Sequence, residues 1–103
     1  MGLLGTTTQQ AYYSQSQSFT GNGSATAFTL TTAFFPTLPS AKNEIQIFVN
    51  GKEINTANYN YSSPTVTFTG NANNTNVLES SGAPKTGLII TVKEISKAER
   101  FGS

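Results

Sequence analysis

The sequence predicts a small all-β protein, an antiparallel β-sandwich of about six to seven strands. Several short segments alternate apolar and polar residues, as strands with one buried face do. Clusters of Gly, Asn, Ser and Pro separate these segments and supply turn signals. No segment keeps a 3.6-residue period, so a long helix is not expected. Together these features favour an Ig-like sandwich, with Thr on the solvent-facing positions.

The composition argues against an enzyme and against a cofactor or metal site. A chain of 103 residues corresponds to one domain. It contains no Cys and no His, so thiol chemistry, the commonest general base and the commonest transition-metal ligand are all lacking. We therefore expect no catalytic residues, no cofactor-binding residues and no metal ligands.

The charge distribution bears on the class of partner. The net charge is only +1, and the six basic residues are spread along the chain instead of clustering. Phosphate backbones are bound by clustered Lys and Arg, so a nucleic-acid partner is not expected. No apolar run approaches the ~20 residues of a membrane span, so no membrane association is expected.

Residues 1–16 are predicted to form an extended N-terminal arm. Gly, Thr, Gln and Ser dominate this segment, and no period is visible. Two interpretations stay open. The segment is a loose terminus, or it orders on a neighbouring subunit through its two apolar pairs, Leu3-Leu4 and Tyr12-Tyr13.

The domain proper is assigned to residues 17–95. Its first elements are a strand at 18–20, a turn at 21–24 and an alternating strand at 27–32. This order predicts a hairpin whose strands carry Phe19 and Phe28.

Residues 33–39 interrupt the strand pattern, because Pro36 and Pro39 exclude a central strand. Phe34, Phe35 and Leu38 are predicted to plug one end of the core. The alternative is an exposed apolar knob that binds a partner.

The best-specified local structure is a hairpin over residues 44–54. Ile45, Ile47 and Val49 occupy alternate positions and share one face of a strand. Asn50-Gly51 follows directly and predicts a type I′ turn, because both central positions of that turn need φ > 0.

The second half of the chain holds two more predicted strands, at 65–69 and 88–94, and two irregular segments. Residues 56–63 place two Tyr among turn residues, and residues 70–84 form a long polar loop of the kind that marks either function or disorder. Residues 96–103 are assigned to a C-terminal tail or linker. The predicted core comprises Phe19, Phe28, Leu30, Ile45, Ile47, Val49, Val66, Phe68, Leu88, Ile90 and Val92.

Side chains outside this core are the candidates for contacts with a partner. They are apolar or aromatic residues in the arm, in the segment 56–63 and in the long loop. The candidates are Leu3, Leu4, Tyr12, Tyr13, Tyr59, Tyr61, Val77 and Leu78.

Four segments together resemble a β-module of tailed-bacteriophage virion proteins. They read F-T-G-N-G-S-A-T-A-F-T-L at 19–30, I-Q-I-F-V-N-G-K-E-I at 45–54, T-V-T-F-T at 65–69 and P-K-T-G-L-I-I-T-V at 84–92, with Tyr59 or Tyr61 between the second and third. The start, M-G-L-L-G-T-T-T-Q-Q-A-Y-Y, is similar to that of some structural proteins of T4-like cyanophages. The loop at 70–84 departs from the module by being longer.

The resemblance implies a non-enzymatic structural protein of a tailed-phage virion: a tail, neck or tail-fibre adaptor. Its location would be the virion, assembled in the host cytoplasm. Its partners would be other virion proteins and further copies of itself. Two alternatives stay open: a module that binds host-surface glycans through Tyr59, Tyr61 and the Asn-rich loop, and a capsid decoration protein.

Overall fold

The fold is a β-sandwich of two antiparallel sheets, which confirms the predicted fold class. The computed structural model describes residues 15–95. Within them lie seven strands and two 3₁₀ helices, and the 3₁₀ helices span Lys42–Glu44 and Thr56–Asn58. The strands are β1 (Ser16–Thr20), β2 (Ala27–Thr29), β3 (Ile45–Val49), β4 (Lys52–Glu53), β5 (Tyr59–Ser62), β6 (Thr65–Phe68) and β7 (Ile89–Glu94).

Each sheet has one buried face and one face turned to solvent. The first sheet, sheet A, has the strand order β1-β7-β3-β4, and the second, sheet B, has the order β2-β6-β5. Every predicted core residue is buried except Phe19 and Leu88, which are partly buried and pack against the core. The core also takes in apolar residues outside the predicted set: Phe35, Ile54, Tyr59, Val77, Leu78 and Ala83.

The β3–β4 hairpin forms as predicted. Val49 pairs with Lys52 on either side of the turn. Asn50 and Gly51 have φ values of 53° and 84°, the left-handed backbone that a type I′ turn demands.

The predicted hairpin between the first two strands is wrong, because β1 and β2 belong to different sheets. β1 pairs with β7, and β2 pairs with β6. The backbone of the connecting segment bonds to the residues before β7: the Gly21 N–H donates to the Leu88 carbonyl and the Gly23 N–H to the Pro84 carbonyl. Phe19 and Phe28 still meet, with ring centroids 5.2 Å apart, but across the sandwich.

The plug prediction for residues 33–39 is confirmed for Phe35 and is wrong for Phe34. Phe35 is fully buried and closes one end of the core, as the plug prediction requires. Phe34, its neighbour, is 51% exposed. The two adjacent rings therefore lie in opposite environments, Phe35 in the core and Phe34 in solvent.

Strand β5 lies where the sequence predicted turn residues. Tyr59 and Tyr61 both turn towards sheet A, with Tyr59 buried and Tyr61 partly buried, while Asn60 and Ser62 face solvent. Tyr is a strand-favouring residue, and its alternation with polar residues is the period-2 pattern of a half-buried strand.

Candidate functional site

Two adjoining depressions flank β4 and share Glu53 and Thr56; together we call them the β4 groove. One measures about 320 Å³ and the other about 460 Å³. The first is lined by Lys52, Glu53, Ile54, Asn55, Thr56, Asn73 and Asn74. The second is lined by Lys42, Asn43, Ile45, Gln46, Glu53, Thr56, Tyr59 and Ile95.

A buried amide pair fixes the wall of the β4 groove. The Asn58 Nδ2 donates to Asn74 Oδ1 at 2.9 Å and to the Ala72 carbonyl at 2.7 Å, while its Oδ1 accepts from the Ala72 N–H at 3.0 Å. Asn74 Oδ1 also accepts from the Asn55 N–H at 2.9 Å, and its Nδ2 donates to the Glu53 carbonyl at 3.3 Å. These bonds tie the loop after β6 to the segment after β4.

This network corrects the expectation placed on residues 70–84. The loop is held against the sandwich by side-chain hydrogen bonds, and part of its apolar content belongs to the core. Asn74 anchors it, and Val77 and Leu78 are buried at 8% and 1% exposure. Leu78 also forms a bridge with Pro84. Because their side chains belong to the core, Val77 and Leu78 are not available as partner contacts.

Tyr59 is likewise a core residue and not a partner contact. It is 2% exposed and packs against Phe68, with ring centroids 6.4 Å apart. The Lys42 ammonium lies 5.2 Å from its ring centroid, at the rim of the β4 groove. Burial, and then the negative charge of Glu53, raise the pKa of the Tyr59 phenol above its usual 10.0.

We expect the fold to lose stability as the pH rises through the raised pKa of Tyr59. The folded chain holds the phenol proton of Tyr59 more tightly than the unfolded chain does. The resulting contribution to the free energy of unfolding is fully present below the pKa of the unfolded state, and it is lost as the pH rises through the pKa of the folded state. Free energies of unfolding measured from about pH 9 to pH 11 should fall more steeply for the wild type than for Tyr59→Phe. Tyr61→Phe, the matched control, should keep the steep decline. Parallel profiles for the wild type and Tyr59→Phe would contradict this account.

Tyr61 is the remaining described candidate from the aromatic pair. It is partly buried and packs against the core, and its hydroxyl donates to the Pro39 carbonyl at 2.6 Å. The hydroxyl therefore fixes the 33–39 loop. The other candidates, Leu3, Leu4, Tyr12 and Tyr13, lie outside the described residues.

The solvent-facing sides of the two sheets differ in chemistry. On sheet B, neighbouring strands place hydroxyl groups side by side, and the Thr29 and Thr65 hydroxyl oxygens are 3.3 Å apart. Sheet A carries apolar groups as well. Ile89 is 44% exposed there, and the Lys93 ammonium lies 5.6 Å from the centroid of the Phe48 ring.

The two long sides of the sandwich also differ. On one side, β4 and β5 lie beside the two 3₁₀ helices and the Asn74-anchored loop. On the other side, β1 and β2 are the outermost strands of their sheets. The sheets are joined there by the Phe19–Phe28 ring contact and by the Gln17 Oε1, which accepts from the Thr31 N–H at 3.0 Å.

The backbone of β1 presents hydrogen-bonding groups to this open side. The Glu94 N–H donates to the Gln15 carbonyl, and the Gly21 N–H donates to the Leu88 carbonyl. With the register of the two strands, these bonds show that residues 15, 17, 19 and 21 direct their backbone groups towards β7. Bonding residues alternate along an antiparallel strand. The N–H and C=O groups of Ser16, Ser18 and Thr20 therefore point away from the sheet.

Within residues 15–95 no helix is long and apolar enough to cross a membrane, and no three acidic, His or Cys side chains cluster as a metal site. No family model matches this chain, and no curated protein or solved structure matches it.

Proposed function

We propose that this chain is a non-enzymatic structural protein of a tailed-bacteriophage virion, an adaptor associated with the tail, neck or tail fibres. It acts by binding other virion proteins and further copies of itself. The observation that supports this best is the open edge of β1. Among residues 15–95 no strand pairs with the outer edge of β1, which is five residues long, and such edges bind an added strand from another chain.

The placement of the segments that carry the resemblance also supports the proposal. The Gly21-Asn22-Gly23 segment bonds to residues 84–88, and the Gly87 N–H donates back to the Gly21 carbonyl. Asn22 Oδ1 accepts from the backbone N–H groups of Ser24 and Ala25. The motifs at 19–30 and 84–92, far apart in the sequence, are thus hydrogen-bonded to each other. Such contact is expected if the motifs belong to one structural module.

The glycan-binding alternative is weakened by the positions of its two aromatic residues. A sugar ring stacks on an exposed aromatic face, but Tyr59 is in the core and Tyr61 is partly buried with its hydroxyl bonded to Pro39. The β4 groove keeps polar side chains but offers no such stacking face. Assembly is therefore the function that the geometry supports best.

The proposal predicts that the chain co-purifies with phage particles. Particles purified from a culture that produces the chain should contain its peptides, by mass spectrometry, in a constant ratio to the other virion proteins across gradient fractions. Labelling with an antibody against the folded domain should mark the tail, the neck or the fibres. Label on the capsid shell would favour the decoration alternative instead. Peptides confined to the particle-free lysate would refute the proposal.

A further inference from the structure

We propose that two copies of this chain pair through β1, antiparallel and centred on Ser18, so that their A sheets join into one continuous sheet. This inference rests on the proposed assembly function and names the partner of the open edge. Three observations support it: the chemistry of β1, the contrast with β4 at the other edge of sheet A, and the register that the outward backbone groups allow.

The two edges of sheet A are not equally suited to pairing. β4, the other edge of sheet A, has only two residues, and both are charged and exposed, Lys52 and Glu53. Short length and charge are the usual devices that keep an edge strand unpaired. β1 has five residues, S-Q-S-F-T, with no charged residue and no proline. Of the two edges that sheet A has within residues 15–95, β1 is the one that lacks these devices.

The register follows from the residues whose backbone points outward. Pairing centred on Ser18 sets Ser18 against Ser18 of the second copy and Ser16 against Thr20 of the second copy. Each such pair exchanges two hydrogen bonds in an antiparallel ladder. A shift of two residues in either direction leaves at least one of these three residues without a partner residue on the second β1 strand. The register centred on Ser18 therefore pairs the largest number of outward N–H and C=O groups.

The side chains of β1 suit this register on both faces. On the outer face, small hydroxyl groups meet across the seam and extend the existing contact between the Ser18 and Thr91 hydroxyls, which are 3.5 Å apart. On the inner face, Gln17 of one copy lies beside Phe19 of the other. Phe19 is only partly buried, and this neighbour covers it further.

A five-residue strand buries less surface than the ~800 Å² per partner of a typical stable interface. The pairing is therefore weak in solution and suited to copies held close together in a particle, where the effective concentration is high. It is detected by a concentration series on the full chain.

The first test uses charge at the two-fold axis. Sedimentation of the full wild-type chain should show a monomer–dimer equilibrium. Ser18→Lys should raise the dissociation constant by at least about tenfold, because two ammonium groups then face each other directly. Ser62→Lys, the same change on the exposed face of sheet B, should leave it unchanged. An equimolar mixture of Ser18→Lys and Ser18→Glu should regain dimers, which also shows that the variants fold.

The second test uses cross-linking and reads the register. The chain has no Cys, so a single introduced thiol reports on its own surroundings. Opposite residues in a hydrogen-bonded pair have Cα atoms about 5.5 Å apart, within disulfide range. Under mild oxidation Ser18→Cys should form a covalent dimer, whereas Thr20→Cys, whose symmetry mate lies several residues away, should not.

Three results would overturn the pairing: a chain that stays monomeric and whose Ser18→Cys variant does not cross-link, a dimer that Ser18→Lys leaves intact, or cross-linking of Thr20→Cys as readily as of Ser18→Cys. These failures are separate from failure of the proposed function. If the chain is found in particles but does not pair, only the pairing through β1 is refuted. A chain that pairs but never enters particles loses the virion assignment.

Discussion

Replacing Asn74 by alanine is expected to lower the free energy of unfolding by about 3 kcal/mol. The substitution removes the acceptor for the Asn55 N–H and for the Asn58 Nδ2, and it removes the donor to the Glu53 carbonyl. Asn58 and Asn74 are both nearly fully buried, at 2% and 3% exposure, so water does not readily replace the lost partners. Each orphaned buried donor costs about 1–3 kcal/mol.

The measurement is urea-induced unfolding of the wild type and the variant, analysed as a two-state transition. Asn76→Ala is the matched control. It makes the same chemical change two residues away, at an exposed position of the same loop, and should alter stability by less than about 0.5 kcal/mol. Equal stabilities for Asn74→Ala and Asn76→Ala would show that the amide pair does not hold the loop.

The same amide pair shows why the long polar loop could not be understood from the sequence. The partners of Asn58 lie 14 and 16 residues away, at Ala72 and Asn74. Asn side chains serve equally well in exposed turns and in buried networks. Nothing in an Asn-rich segment says which Asn will be buried, so the anchoring role of Asn74 could not be predicted from the sequence.

The parts of the fold that were predicted correctly depend on local signals. The β3–β4 hairpin combines a period-2 strand with an Asn-Gly turn, and both signals lie within ten residues. The placement of β1 depends on distant contacts instead: Gly21 bonds to Leu88, and Ser18 pairs with Thr91. A sequence in which two strands flank a Gly-rich turn favours a hairpin on local grounds, and only long-range pairing decides against it.

The burial of the candidate contact residues likewise depends on long-range packing that local signals do not show. The sequence makes Tyr59, Val77 and Leu78 contact candidates because these large apolar groups stand among polar neighbours. A small domain needs such groups for its core, and the structure buries all three. The β1 edge could not be located from the sequence, because the groups that define it belong to the backbone. It becomes visible only when the strand order places β1 outermost.

Gly82→Ala is expected to cost at least about 3 kcal/mol of stability, and the effect is mainly steric. A Cβ at this position would lie 2.7 Å from the Gly70 nitrogen, 2.9 Å from the Thr69 nitrogen and 3.0 Å from the Phe68 carbonyl carbon. These are backbone atoms at the end of β6, and they cannot move away as a flexible side chain can. The φ of Gly82 is +98°, which adds backbone strain for any residue with a Cβ.

Gly87→Ala separates the two contributions. Gly87 has a similar φ of +85°, but nothing lies within 4 Å of the position that its Cβ would occupy. That variant therefore bears only the backbone strain, about 1–2 kcal/mol. Thermal and urea unfolding of both variants should place Gly82→Ala well below Gly87→Ala. Equal losses would mean that the corner between the long loop and the end of β6 relaxes freely, and the tight packing of the loop against the sandwich would then have to be abandoned.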